Sequence, residues 1–306
     1  MMKILLAAVL LAAMPTAVLA QETATVVTAE TVAKLSATAA ATQQGASPPP
    51  NALQQIIAAA PYALILEHRI AKAPAAIHQT EAEVIIVLDG AGTLTTGGTL
   101  VNAGAARGGN INGDNITGGQ ARHIVKGDIM IVPENTPHML VPDSGTALVL
   151  ATLHVPRDGT SAPGRGSATP KLFNAAADLP AMIARAKAAM PASARFFGGD
   201  TILNLAPYHM GLEYRSPKGI ASVHKNDGEF MYVLEGEGNI PAGGTVVNPK
   251  DSGANIDGDA LQGATDHFMK KGDFIYVPAG VPHLAVSDGT FVLATLHVPS
   301  PPPVAK

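Results

Sequence analysis

The stretch VLATLHVP, Val149–Pro156, occurs a second time without change as Val292–Pro299. A longer match precedes it in both places, where KGDIMIVPENTPH (126–138) corresponds to KGDFIYVPAGVPH (271–283). The matches keep their order, and the few insertions fall in stretches rich in Gly, Asn and Asp, where loops accept them. The chain therefore contains a duplicated unit, and VLATLHVP closes each copy.

The duplication divides the 306 residues into repeats and connecting segments. Each repeat has the size of an ordinary domain, and the connections contain stretches rich in Gly, Pro and Ser. The predicted segments are a signal peptide (1–20), an N-terminal helix and linker (21–60), a first domain (61–157), a linker with a helix (158–206), a second domain (207–299) and a tail (300–306).

Short apolar runs bounded by turn residues characterise each copy. AEVIIVLDG (82–90) and GEFMYVLEG (228–236) end in glycine, and further runs begin at a Gly-Asp turn and stop at proline. Evenly spaced strands with many turns predict an all-β sandwich or closed barrel in each copy. Helices are predicted over 29–40 and 176–190, where apolar residues recur on one helical face.

Composition and charge exclude several classes of protein. The formal net charge is −4 at pH 7, so no basic field would attract nucleic acid or an anionic membrane. Lys3 precedes an apolar stretch that ends in Val18-Leu19-Ala20, which predicts a cleaved secretory signal peptide. The alternative is a membrane anchor, which is disfavoured because the apolar run is short and Pro15 interrupts it. Because cysteine is absent, neither a lipoprotein anchor nor a disulfide framework is expected. The mature protein is therefore expected in the periplasm or outside the cell, with no membrane attachment.

Each copy places a histidine and a glutamate on either side of a turn. His78 and Glu83 flank QTEA, and His224 and Glu229 flank KNDG, which is a strong hairpin signal. Residues on either side of a tight hairpin turn are cross-strand neighbours whose side chains can converge on one face. A histidine and a carboxylate placed in this way can share a metal ion.

With a further histidine at the end of VPENTPH and VPAGVPH, these motifs resemble the cupin family in its two-domain form, the bicupins. The family pattern is HxHxxxxE with Gly after six more residues, then Gly, five residues, PxG, two residues and His. The resemblance covers 61–156 and 207–299. The matching residues are His78, Glu83, Gly90, Gly127, Pro133 and His138 in the first copy and His224, Glu229, Gly236, Gly272, Pro278, Gly280 and His283 in the second.

The resemblance implies two tandem jelly-roll barrels, each with a metal site, but the pattern is incomplete. The first histidine of the family pair is Ala76 in one copy and Ser222 in the other, and Asn135 replaces the glycine kept as Gly280. Two histidines and one glutamate remain per barrel. Such a set leaves positions open on one divalent metal ion and suits iron or manganese first, with nickel, copper and zinc as alternatives.

Three further polar residues are weaker candidates. His154 and His297 each share a strand face with the threonine two residues earlier, so they could orient a ligand or contact a substrate. The alternative is a strand-end histidine that meets water or a carbonyl group. Ser222 offers a hydroxyl near the same site.

Two ion pairs are predicted from residues two apart on one strand. Glu67 with Arg69 and Glu213 with Arg215 share a face. They are expected as ion pairs on the barrel surface, where such pairs contribute little to stability, with substrate binding as the alternative.

Two classes of function remain open. The open metal sites favour an enzyme acting on a small molecule, and the resemblance implies a dioxygenase-type oxidoreductase first and a lyase or isomerase second. The lack of an obvious second acid–base group favours the alternative, a non-catalytic cupin that binds a sugar or small acid. No catalytic residue is assigned, because folds of this kind host many functions.

Overall fold

The computed structural model describes residues 24–157, 169–191 and 198–300. The predicted signal-cleavage site, part of the predicted linker and the tail beyond residue 300 lie outside the described residues. The helices are α1 (Ala29–Ala41), a 3-10 turn (Ala176–Asp178) and α2 (Leu179–Ala189). Both α-helices lie where the sequence pattern predicts them.

The remaining elements are strands, which confirms the all-β prediction. They are β1 (Thr25–Val27), β2 (Asn51–Ala59), β3 (Tyr62–Arg69), β4 (Ala75–His78), β5 (Glu81–Asp89), β6 (Ala91–Thr96), β7 (Thr99–Val101), β8 (Asn110–Gly113), β9 (Asn115–Thr117), β10 (Gln120–Val125), β11 (Ile129–Val132), β12 (His138–Pro142), β13 (Leu148–Pro156), β14 (Phe173–Asn174), β15 (Gly198–Leu205), β16 (Tyr208–Tyr214), β17 (Ala221–His224), β18 (Asp227–Asn239), β19 (Thr245–Val247), β20 (Lys250–Asp251), β21 (Asn255–Gly258), β22 (Ala260–Gln262), β23 (Phe268–Lys270), β24 (Phe274–Val277) and β25 (Phe291–Pro299).

These strands form two tandem barrels of facing antiparallel sheets. In barrel one, a sheet in the order β14-β11-β5-β13-β3-β2 faces a sheet in the order β10-β6-β12-β4-β8. In barrel two, the larger sheet has the order β1-β24-β18-β25-β16-β15, and two smaller sheets have the orders β17-β21-β20 and β19-β22. The predicted architecture of two jelly-roll barrels is therefore present. Strands β2 and β15 extend the larger sheets ahead of residues 61 and 207.

The near-continuous apolar runs have a physical reason in this arrangement. In β5, Ile85 and Val87 belong to the core inside barrel one, whereas Val84 and Ile86 belong to a cluster shared with barrel two. Because both faces of the larger sheet are buried, the strand is apolar at nearly every position instead of alternating. The strand ends just before Gly90, which has φ 77° and where a Cβ would lie only 1.9 Å from the carbonyl oxygen of Ala147.

A short strand before each helix ties the two barrels together. β1 precedes barrel one in the sequence but pairs with β24 of barrel two, and β14 precedes barrel two but pairs with β11 of barrel one. Asp273 accepts a hydrogen bond from the N–H of Ala29, and Asp128 accepts one from Ala176, both at 2.7 Å. The helices themselves pack on the barrel that follows them in sequence, α1 on β2 and β3, and α2 on β15 and β16.

The ends of the repeats are also joined across the barrels. The Tyr62 hydroxyl donates to the carbonyl of Pro299, and the Tyr208 hydroxyl donates to the carbonyl of Pro156. The prolines that close VLATLHVP therefore each contact the opposite copy. Within the described part of the chain, no helix combines the length and hydropathy needed to cross a membrane.

Candidate metal centres

The predicted ligands converge inside each barrel, but the strands that bring them together are not paired as predicted. β4, which ends at His78, pairs with β8 and β12 in the smaller sheet. β5, which carries Glu83, pairs with β11 and β13 in the larger sheet. The hairpin prediction was therefore wrong, because the turn between β4 and β5 carries the chain from one sheet to the other. His78 and Glu83 meet as residues of facing sheets.

The second motif brings a further histidine to the same place. Asn135 has φ 55° and Gly280 has φ 79°, so both occupy the left-handed region, which asparagine tolerates better than most residues. The N–H of Asn135 donates to the carbonyl of His78, and that of Gly280 donates to the carbonyl of His224. The asparagine that departs from the family pattern therefore keeps the backbone turn of the motif.

In barrel one, the imidazoles surround the carboxylate of Glu83. Nε2 of His138 lies 3.0 Å and Nε2 of His78 lies 3.7 Å from Oε2. Nε2 of His154 lies 3.8 Å from the other carboxylate oxygen, Oε1. Glu83 and His138 are buried, whereas the side chain of His154 is 33% exposed. The cluster is therefore open to solvent on the His154 side.

Barrel two repeats this geometry around Glu229. Its Oε2 lies 2.9 Å from Nε2 of His283 and 3.3 Å from Nε2 of His224, and its Oε1 lies 3.7 Å from Nε2 of His297. The six residues predicted as metal ligands are thus brought together in two groups of three. His154 and His297, predicted only as accessory residues, lie in the same groups.

Hydrogen bonds at Nδ1 turn Nε2 of the histidines toward the glutamate. Nδ1 of His78 lies 2.6 Å from Oδ1 of Asn110, and Nδ1 of His138 lies 3.1 Å from the carbonyl oxygen of Thr136. With Nδ1–H donating to these oxygens, the lone pair of Nε2 is free to bind a metal.

Barrel two has the same supports. Asn255 Oδ1 lies 2.9 Å from Nδ1 of His224, and the carbonyl oxygen of Val281 lies 3.2 Å from Nδ1 of His283. Neither asparagine was predicted from the sequence. They occupy matching positions of the two copies, so the repeat alignment was the signal that could have revealed them.

The charge balance favours an ionised glutamate. Burial opposes ionisation of Glu83, but the imidazoles of His138, His154 and His78 outweigh burial and lower its pKa to about 2. Burial also opposes ionisation of Glu229, and its histidine neighbours, His297 first, lower its pKa well below the ordinary value. Both carboxylates are therefore anionic at neutral pH, which is the form that binds a cation.

The pKa values of the two predicted histidine ligands in barrel one are shifted in opposite directions. Burial lowers the pKa of His78, and this effect prevails over the attraction of Glu83. Burial also acts to lower the pKa of His138, but the neighbouring carboxylate of Glu83 raises it overall. His78 is therefore the more readily neutral of the two, as a metal ligand must be.

The donor set fits a divalent transition metal. Ligand atoms bound at about 2.0–2.2 Å to one ion lie roughly 3–4 Å apart, and the Nε2-to-oxygen distances in both barrels, 2.9–3.8 Å, fall in or near this range. Oε2 of Glu83 is also buried with no well-aligned hydrogen-bond donor among the described residues. Imidazole with carboxylate suits iron, manganese, nickel, copper or zinc.

The two predicted surface ion pairs lie inside the barrels instead. Glu67 and Arg69 approach to 2.5 Å, and the Thr152 hydroxyl donates to Glu67 at 3.4 Å. Glu213 is likewise buried and paired with Arg215. The surface prediction was wrong because alternation along β3 and β16 points these side chains inward, behind the metal cluster. Burial raises the pKa of Glu213, with Arg215 opposing the rise and Glu229 adding to it.

The two sites differ in their surroundings. Ser222, predicted as an accessory residue, donates its hydroxyl to Asp257 at 2.6 Å, and the aligned residue of barrel one is Ala76. Barrel two also has His209, aligned with Ala63, whose ring lies close to Gly211. Nε2 of His209 lies 3.1 Å from the Thr201 hydroxyl. Barrel two therefore carries more polar groups around its cluster.

Comparison with known proteins supports the fold. No family model matches the chain, and no curated protein does. Among solved structures, the salicylate 1,2-dioxygenase of Pseudaminobacter salicylatoxidans is 12% identical, with a TM-score of 0.61 over 90% of this chain and 84% of that one. A mutant of that enzyme in complex with gentisate has the same identity and TM-score. A cupin 2 conserved barrel domain protein of Leptotrichia buccalis is 11% identical, with a TM-score of 0.52 over 93% of this chain and 100% of that one. At these identities the likeness establishes a cupin fold with two barrels.

Proposed function

We propose that this protein is an exported metal-dependent enzyme that acts on a small molecule, with dioxygenase-type oxidation as its first candidate reaction. One observation carries the proposal. In each barrel, neutralisable histidine nitrogens face a buried carboxylate at ligand spacing, with their other nitrogens held by oxygen acceptors. Such an arrangement leaves part of a metal's coordination sphere available.

The residues around the cluster would control what reaches it. Apolar side chains of each barrel close the inner side of the site, including Ile85 and Leu150 in barrel one and Met231 and Leu293 in barrel two. A small molecule would therefore approach from the side of His154 or His297, the most exposed histidine of each group at 33% and 17%. Exclusion of water on the inner side strengthens the attraction between charges at the site.

The chain's own residues would bind and orient the metal. His78, Glu83 and His138 would hold it in barrel one, and His224, Glu229 and His283 in barrel two. Asn110 and Asn255 keep the Nδ1 protons of His78 and His224 in place, so the tautomer that binds metal is maintained. A bound iron or manganese ion would supply Lewis acidity and, with iron, the ability to exchange electrons with oxygen.

The structural likeness to salicylate 1,2-dioxygenase supports this reaction class through the fold alone, and it suggests the first compounds to test. Periplasmic or extracellular location rests on the leader sequence. The experiment is to purify the protein from the periplasm, measure its metal content, load it with iron(II) under anaerobic conditions and follow oxygen uptake with small aromatic hydroxy acids, including gentisate and salicylate.

The expected result is one metal per barrel and oxygen consumption with at least one such compound. Substituting His138→Ala and His283→Ala together should abolish both. Metal binding with saturable ligand binding but no turnover of any compound would contradict the enzyme and support the non-catalytic cupin. Absence of metal from the native and the loaded protein would contradict the site itself.

A further inference from the structure

We infer that each metal has a third histidine ligand that the cupin pattern does not contain, contributed by the last strand of the barrel: His154 in barrel one and His297 in barrel two. The inference rests on the proposed metal sites and adds one ligand to each. Both histidines lie in VLATLHVP, the stretch that is identical in the two copies, and metal binding would give this stretch a function.

The register of the sheet places these histidines beside the glutamate. β13 pairs with β5 so that His154 lies directly opposite Glu83, and β25 pairs with β18 so that His297 lies opposite Glu229. Directly opposed residues on one face have Cβ atoms about 4.5–5.5 Å apart. A histidine at this position can therefore reach the same ion as the glutamate across from it.

The third histidine faces a different oxygen of the glutamate from the other two histidines. Nε2 of His154 faces Oε1 of Glu83, at 3.8 Å, whereas the other two histidines of the barrel face Oε2. Barrel two has the same division, with His297 at 3.7 Å from Oε1 of Glu229. The third histidine thus approaches from a different side of the carboxylate and does not duplicate a neighbour's position.

Ring packing keeps the third histidine in this orientation. The ring of His154 meets that of His78 edge-on, with centroids 4.3 Å apart and an interplanar angle of 89°. His297 and His224 repeat this at 4.5 Å and 88°. The ligand atoms of His224, Glu229 and His297 all lie within 4.8 Å of one another. In barrel one the corresponding group is His78, Glu81 and His154, so the two copies share the ring packing but differ in the glutamate that completes this group.

The position that lacks a histidine offers no competing ligand. Ala76 has no donor atom, and the hydroxyl of Ser222 is directed to Asp257. In barrel one, Nδ1 of His154 lies 3.3 Å from Oε2 of Glu81 without the alignment of a hydrogen bond. Three histidines and one glutamate would leave two positions of an octahedral ion for small molecules, so the site would remain open.

The test isolates barrel two. Barrel one is emptied by His78→Ala and His138→Ala, and His297→Ala is added to this background. His267→Ala is the matched control, because His267 belongs to the same barrel, donates its backbone N–H to Oδ1 of Asn239 and lies outside the ligand group. Copper(II) is the probe, its affinity measured by competition with a chelator and its equatorial nitrogen ligands counted by electron paramagnetic resonance.

We expect His297→Ala to lose one coordinated nitrogen and at least about tenfold in copper affinity, equivalent to about 1.4 kcal/mol. His267→Ala should keep the parent spectrum and affinity. An unchanged nitrogen count in His297→Ala would overturn the inference even if affinity fell, because a residue that only positions the glutamate would leave the count unchanged. Should His297→Ala not fold, His297→Gln keeps the size of the side chain and is read in the same way. Failure of the parent protein to bind copper would overturn the proposed metal site as well.

Discussion

Replacement of Glu229 by glutamine separates a metal ligand from a structural carboxylate. Glu229 is 2% exposed and lies within 3.7 Å of three imidazole nitrogens. The amide nearly preserves the shape of the side chain but removes the negative charge that a cation would contact. The difference between a charged and a neutral contact is about 1–4 kcal/mol, so the metal dissociation constant should rise roughly 5- to 1000-fold.

The magnitude can be read as a thermal shift. A metal at about 100 times its dissociation constant stabilises the native state by about 2.7 kcal/mol, and a 100-fold weaker site would keep only about 0.4 kcal/mol at the same concentration. For a domain of about 100 residues, the lost 2.3 kcal/mol corresponds to roughly 9–18 °C in melting temperature. The readout is the difference between melting temperatures with and without metal, which removes any effect of the substitution on the metal-free protein.

The control is Glu235→Gln, an exposed glutamate on the same strand, β18, which should keep the full metal-induced shift. Glu83→Gln and the double variant Glu83→Gln/Glu229→Gln complete the series, with metal stoichiometry measured on each. Full metal occupancy in the double variant would refute the assignment of the glutamates as ligands. The barrels would then be held by packing alone.

Three further predictions concern the separate barrels, acid and the leader. His138→Ala should remove the metal of barrel one only and His283→Ala that of barrel two only, because each ligand group lies within one repeat; if one substitution emptied both sites in metal analysis, independence would be disproved. The metal-free protein should lose stability as pH falls from 4.5 toward 2, because the folded pKa of Glu83 is lowered to about 2 from 4.5, and protons on the histidines should release bound metal at a higher pH than this; acid titrations with and without metal test both, and a metal-loaded site unaffected down to pH 4 would contradict it. Expression with the leader should yield a soluble periplasmic product that begins near Gln21, and an intact mass that still includes residues 1–20 would contradict cleavage.

The sequence alone determined the repeat, the all-β class and the positions of the helices. These features depend on local signals, such as apolar runs closed by Gly90 and Gly236, the Gly-Asp turns and the spacing of apolar residues in α2. It also identified the six ligand candidates, because the resemblance rests on their spacing. The sequence also showed that Asn135 replaces the glycine of the family pattern, but not that its backbone is left-handed.

Only the tertiary structure decided how distant segments meet. Whether the turn after His78 closes a hairpin or crosses between sheets depends on which strands pair with β4 and β5, and that choice is made by contacts far apart in sequence. The same holds for Arg69, whose ion pair is inside the barrel because β3 has one face toward the interior. Sequence patterns show which residues share a strand face, but not which way that face points.

The third histidine illustrates this limit most directly. From the sequence, His154 and His297 were candidates only to orient a ligand or contact a substrate, with an ordinary strand-end histidine as the alternative. Their relation to Glu83 and Glu229 exists only through the register of β13 with β5 and of β25 with β18. Register is a property of two strands together, since a shift of one residue would turn each histidine to the opposite face of the sheet.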